Sequence, residues 1–299
     1  MSVKSEPTLL QNESIEWVKY DGIEYYTRLY NPIDSPAIAN LIIVHGFGEH
    51  SDRYETLARY FCKNNFRVLA FDMKGFGKTG RKQGQLGDIG QFDKVYKQIN
   101  HFANTLLLQK YSDTSKLFIY GHSMGGSIVL NYCAVPEYSS SISAVISSSP
   151  SLKLDPSAMP PAMLVFVLKL ISRFLPSIPI SSKTNPEDLT SDPAEVEKFK
   201  QSFYNFNVFN IGSACSMFDE SNSCRINKSK SYTVPCLVVH GKGDKVTSSQ
   251  GSIEFYDNLP ASLDKKLIIH DSNFHELHNE PDFKDIVFDQ YLDWFKSHI

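Results

Sequence analysis

Glycine is absent from a long stretch of this chain: none occurs between Gly126 and Gly212. Proline crowds into the same region, with eight of the 15 lying between Pro150 and Pro193. Glycine-marked turns therefore flank a middle segment with its own architecture, and residues 151–209 read as an insertion between 1–150 and 210–299. Long hydrophobic runs are missing too. The longest, Ala162–Leu168, falls far short of the ~20 residues a membrane-spanning helix needs. The opening residues, MSVKSEPTLLQNES, hold no apolar stretch, so no secretory signal is expected. The five cysteines are odd in number and form no CxxC pair, which argues against a disulfide framework or a zinc site and suits a reducing compartment. Neither sign of charge dominates, with 30 basic and 33 acidic residues, so nothing favours a nucleic-acid partner. No P-loop, no GxGxxG after a strand and no HExxH is present.

What is present alternates. Residues 14–20 and 23–30 flank Asp21-Gly22, a hairpin signal. Short apolar runs at 40–45, 66–71, 116–121, 143–148, 235–240 and 265–270 read as strands. Helical patterns fall at 53–64, 91–110, 124–134, 248–259 and 281–297. The basic run 78–82 reads as a solvated loop. Strands alternating with helices predict an α/β fold with a mostly parallel sheet covered on both faces. Function in such sheets sits beyond the carboxyl ends of the strands.

Gly121-His122-Ser123-Met124-Gly125 follows one of these strands and opens a helix. The pattern G-x-S-x-G there marks a nucleophile elbow, with the serine hydroxyl raised at the top of the sheet. A serine nucleophile needs a base, and the base needs an orienting carboxylate. Asp244 lies in the turn after strand 235–240, and two histidines, His275 and His278, follow strand 265–270. His275 sits in the loop and is favoured; Asp271 follows the wrong strand for the acid. An acyl-transfer oxyanion needs N–H donors. Met124, next to the serine, and Phe47, in His45-Gly46-Phe47-Gly48, are the candidates.

The blocks HGFGEHSDRY (45–54), DxxGxG (72–77), GHSMGG (121–126), Ser191-Asp192-Pro193, GxxDxV…GS (241–252) and HxxHxE (275–280) resemble the monoacylglycerol lipases of the α/β-hydrolase superfamily, from about residue 15 onward. The spacing is closer to fungal-type members. The resemblance implies Ser123, Asp244 and His275 as the triad and Phe47 with Met124 as the oxyanion hole. It implies a helical cap at 151–209, and neither metal nor organic cofactor. Thr247 stands where mammalian members carry a cysteine. Glu49 and Arg53 are candidates for the polar, glycerol end of the pocket, or for a brace on the following helix. In the cap, 161–174 is apolar nearly all round, and Leu164 and Phe166 are candidates for acyl-chain or lipid contact. The expected activity is hydrolysis of monoacylglycerol in the cytoplasm, with peripheral association to membranes or lipid droplets. The same triad leaves open a lysophospholipase or carboxylesterase and, in another class, a non-catalytic lipid-binding hydrolase fold.

Overall fold

Ten strands and ten α-helices make up the computed structural model, which describes residues 4, 6–111, 113–182 and 184–299. The chain opens with strands β1 (Glu13–Tyr20), β2 (Ile23–Tyr30) and β3 (Ala39–Val44). Helix α1 (Glu55–Lys63), strand β4 (Phe66–Phe71) and helices α2 (Gly77–Gln83) and α3 (Phe92–His101) follow. Next come β5 (Leu117–His122), α4 (Met124–Cys133), α5 (Pro136–Ser139) and β6 (Ala144–Ser148). The middle holds α6 (Ala162–Ser172), β7 (Pro179–Ser181), α7 (Pro193–Gln201), β8 (Val208–Asn210) and α8 (Ile211–Ile226). The chain finishes with β9 (Cys236–Gly241), α9 (Ser249–Asn258), β10 (Lys265–His270) and α10 (Lys284–Lys296).

Eight strands form one sheet in the order β1-β2-β4-β3-β5-β6-β9-β10. From β4 to β10 every pairing is parallel; β1 and β2 add an antiparallel edge. The hairpin turns on Asp21 and Gly22, both at positive φ (46° and 77°), which matches the twist of the strands it joins. Alternate residues of the central strands enter opposite cores. Ile42 and Val44 pack with residues of α3 and α4, whereas Leu41 and Ile43 pack with residues of α1 and α10. Burial on both faces explains why these strands read as continuous apolar runs.

Some local expectations are corrected. Residues 91–110 are not one helix: α3 gives way to a π-helical stretch, Phe102–Leu108. The basic run 78–82 is not a solvated loop but belongs to α2. The Lys78 ammonium is buried there, 3.0 Å from Asp52 Oδ2 and over the Tyr26 ring.

Candidate active site

The parallel strands bring the loops after β3, β5, β9 and β10 to one edge of the sheet. Between β5 and α4 a single residue intervenes, Ser123, with φ 55° and ψ −118°. Non-glycine residues avoid this conformation. The turn is held by close approach: a Cβ on Gly121 would collide with the Gly125 carbonyl, and one on Gly125 with the Val44 carbonyl. The Ser123 N–H donates to the Ser148 carbonyl at 2.9 Å, and the Ser123 carbonyl accepts from the N–H groups of Ser127 and Ser151. The strained residue is thus fixed through its backbone, leaving its side chain to face the cavity.

His275 Nδ1 lies 2.6 Å from Asp244 Oδ2. Asp244 Oδ1 accepts from the N–H groups of Val246 (2.8 Å) and Thr247 (3.0 Å), and Oδ2 from Thr247 Oγ1 (3.0 Å). Burial would raise the Asp244 carboxyl, but the His275 charge and the hydrogen bonds hold it far below the usual carboxylate range. Burial would likewise depress His275, and the Asp244 carboxylate outweighs it, lifting the imidazole above its ordinary value. His278 makes no such contact. It is buried, stacked on Tyr54 at 5.1 Å, and burial pushes it down to about 3.

Ser123 and His275 line one cavity of about 40 Å³, with Gly46, Phe47, Glu49 and Arg53 among the other walls. That volume admits a few waters. Among the described residues no hydrogen bond joins Ser123 Oγ to His275, and none uses the N–H of Phe47 or Met124. Met124 opens α4, where a helix leaves its first N–H groups without intrahelical acceptors. The Phe47 ring is wedged against Phe76 and Phe209, at 5.7 and 5.0 Å. A hydroxyl, an imidazole braced by a carboxylate, and unpaired N–H groups around one cavity are the parts an acyl transfer uses.

Glu49 and Arg53 form a buried network in the wall of this cavity. Glu49 Oε1 accepts from the Gly46 N–H and the Tyr54 hydroxyl, both at 2.6 Å, and Oε2 pairs with Arg53. Arg53 also grips Glu276. Arg53 outweighs the burial that would raise both carboxyls, holding Glu49 well below its ordinary value and Glu276 down to about 2.

Several members of this environment escaped the sequence reading. Nothing in the sequence sets Glu276 apart as the residue after His275, and His240 reads only as the end of a strand. Glu280 accepts from Thr190 Oγ1, the Ser191 N–H and Ser191 Oγ. It thereby links the HxxHxE block to the Ser191-Asp192-Pro193 triplet, whose Asp192 caps α7. Their co-occurrence as motifs was the available signal. Leu164 and Phe166 are not brought to the cavity: both are exposed on α6.

Among known proteins, an uncharacterized abhydrolase domain-containing protein of Dictyostelium discoideum is 32% identical over 91% of this chain, which spans 28% of that relative's length. A monoacylglycerol lipase of Mycolicibacterium smegmatis is 29% identical, with 93% of this chain and 95% of the relative covered. The structure of a soluble variant of Saccharomyces cerevisiae monoglyceride lipase, in complex with a substrate analogue, superposes with a TM-score of 0.87 at 22% identity, covering 98% of this chain and 99% of that one. The shared architecture is the α/β-hydrolase fold. Residues 35–282 match the model of the hydrolase family described as serine aminopeptidase, S33, and the chain belongs to that family.

Proposed function

We propose that the protein is a serine lipase that hydrolyses monoacylglycerol to glycerol and free fatty acid through an acyl-enzyme. Ser123 Oγ attacks the ester carbonyl. His275 Nε2 takes the hydroxyl proton and returns it to the leaving glycerol. Asp244 fixes the imidazole tautomer and stabilises the imidazolium. The N–H groups of Phe47 and Met124 bind the oxyanion, where losing one donor costs about 10²–10³ in turnover. Water activated by His275 then releases the fatty acid. The observation that carries this reading is the 2.6 Å contact of His275 Nδ1 with Asp244 Oδ2 beside a serine at an elbow. The likeness to the mycobacterial monoacylglycerol lipase supports the choice of ester.

Residues 151–209 are read as the cap. Thr184, Leu189, Phe199 and Asn207 of this segment wall the cavity. The Phe206 N–H donates to the Gly48 carbonyl at 2.9 Å, so the segment clasps the loop that carries Phe47. Drug-sized ligands occupy pockets of roughly 300–1,000 Å³, so the cap must part to admit an acyl chain. Glu49 and Arg53 stand at the polar end, toward the glycerol. Leu164 and Phe166 are assigned to the lipid surface, with the protein cytoplasmic and peripherally associated with membranes or lipid droplets. The engagement of Arg53 with two carboxylates weighs against a lysophospholipid, whose phosphate needs a free cation.

The test is glycerol release from 2-oleoylglycerol by the purified protein and by Ser123→Ala. Lysophosphatidylcholine, diolein, triolein and leucine p-nitroanilide serve as parallel substrates. Turnover confined to monoacylglycerol and abolished by the substitution is expected. Activity on lysophosphatidylcholine or the anilide alone would move the substrate class, and none on any would leave a binding protein.

A further inference from the structure

Two imidazoles face the carboxylate of Asp244. His275 Nδ1 lies 2.6 Å from Oδ2, and His240 Nε2 lies 3.2 Å from the same oxygen. His240 is completely buried near the end of β9. Its Nε2 also meets the Thr247 carbonyl at 3.2 Å, and its Nδ1 lies 2.7 Å from Ser252 Oγ on α9. A carboxylate and a carbonyl are both acceptors, so the ring proton belongs on Nε2. Nδ1 is then an acceptor for the Ser252 hydroxyl. Ser252 then holds the ring with its Nε2–H toward the Thr247 carbonyl and beside Asp244.

Oδ2 therefore accepts from His275 Nδ1 and Thr247 Oγ1, and His240 Nε2 stands 3.2 Å from it. The negative charge that stabilises an imidazolium on His275 also faces the Thr247 hydroxyl and the Nε2–H edge of His240. We propose that His240 is a positioning residue of this site: its Nε2–H, bonded to the Thr247 carbonyl, turns its positive edge to Asp244 Oδ2 at 3.2 Å, holds that oxygen in line with His275, and sets the pH at which His275 loses its proton. The proposal rests on the reading of Ser123, Asp244 and His275 as the triad.

The surroundings leave few other groups to act on this imidazole. On α9, Glu254 is turned to Lys153 and Arg225. On the β6 side, Tyr291 of α10 donates to Ser148 Oγ. On β10, His270 Nε2 faces Gln290. Asp244 contacts His240 and links it to His275; Glu276 and Glu49 also act on His275, in the wild type and the variants alike.

The experiment is the pH profile of kcat/KM on p-nitrophenyl butyrate, which does not depend on the natural substrate. The general base must be neutral, and His275 is held above 6.5, so the wild-type acid limb lies above that pH. Replacing His240 by Leu removes a donor and leaves more charge facing His275. The acid limb is expected to move up by about 0.5–1 pH unit. Turnover should fall about tenfold with KM within about twofold. His240→Gln carries an N–H to the same place and is expected to restore the wild-type limb. Equal behaviour of Leu and Gln with no shift of the limb would overturn the proposal. Imidazole ¹⁵N NMR of the wild-type protein needs no substitution. It should show Nε2 of His240 protonated, and a bare Nε2 would also overturn it. Asp244→Asn separates the two readings. Full activity in that variant removes the triad assignment and this proposal with it. Lost activity beside an unshifted His240→Leu profile removes the proposal alone.

Discussion

Arg53 holds both carboxylate oxygens of Glu276, at 2.7 and 2.6 Å, across 223 positions of sequence. The same guanidinium pairs with Glu49. One carboxylate belongs to the loop that carries Phe47 and the other follows His275, so a single cation ties together the two sides of the cavity. Removing it leaves two buried carboxylates without a counter-charge. Arg53→Met is expected to lower the unfolding free energy by about 3–5 kcal/mol, read from urea denaturation. Arg53→Lys should recover less than half of that, because an ammonium cannot span both oxygens of Glu276 while reaching Glu49.

The same pair sets a pH dependence with a definite sign. Burial would raise the Glu276 carboxyl, but Arg53 brings it from 4.5 down to about 2. The unfolded chain binds the proton more readily, so the stabilisation is complete above about 4.5 and is lost as pH falls toward 2. In Arg53→Met the carboxyl is buried without its cation and its pKa rises instead. The variant's deficit relative to the wild type should therefore shrink as pH is lowered from about 7 to 5, since the buried histidines that titrate over that interval, His278 among them, enter both proteins. Urea midpoints at both pH values check this, and a deficit that stays constant would count against the bridge.

Strain at the elbow gives a stability gain from an inactivating change. Ser123 has φ 55° and ψ −118°, a conformation costing of order 1–3 kcal/mol for a residue with a Cβ. Glycine adopts it freely. Ser123→Gly is expected to be inactive and to unfold at a higher temperature than Ser123→Ala, by the equivalent of about 1 kcal/mol. Equal melting temperatures would mean that the neighbouring backbone relaxes and the turn stores little strain.

The central strands of the sheet were readable because burial on both faces makes them apolar runs, as in 41–44. The elbow, Asp244 and the histidine loop were readable because each follows such a strand. What was hidden depended on partners distant in sequence. Lys78 looks solvated in a basic run, and its burial comes from Asp52 and the Tyr26 ring. Helix α8 carries no apolar stripe; its small residues serve close approach, as where a Cβ on Gly212 would meet Pro176. The grip of Glu280 on Thr190 and Ser191, and that of His240 on Asp244, join residues whose types are ordinary and whose meaning is positional.

Helix α6 has no buried residue, and the side chains of Phe166 and Phe174 nearby are 66% and 78% exposed. No helix among the described residues is long and apolar enough to cross a membrane. Exposed apolar patches of this kind mark contact surfaces, and the proposed ester substrate resides in a lipid phase. Leu164→Ser with Phe166→Ser removes two apolar side chains, each worth about 1.5–3 kcal/mol when fully buried. Partial insertion should make co-sedimentation with phosphatidylcholine liposomes about tenfold weaker. Turnover of a soluble short-chain ester separates the two roles open to these residues. If it is unchanged, the helix acts at the lipid surface. If it falls in parallel with binding, Leu164 and Phe166 swing inward to line the acyl path when the cap opens. Sedimentation that depends on protein concentration and not on lipid would instead mark the face as a contact between two copies of the chain.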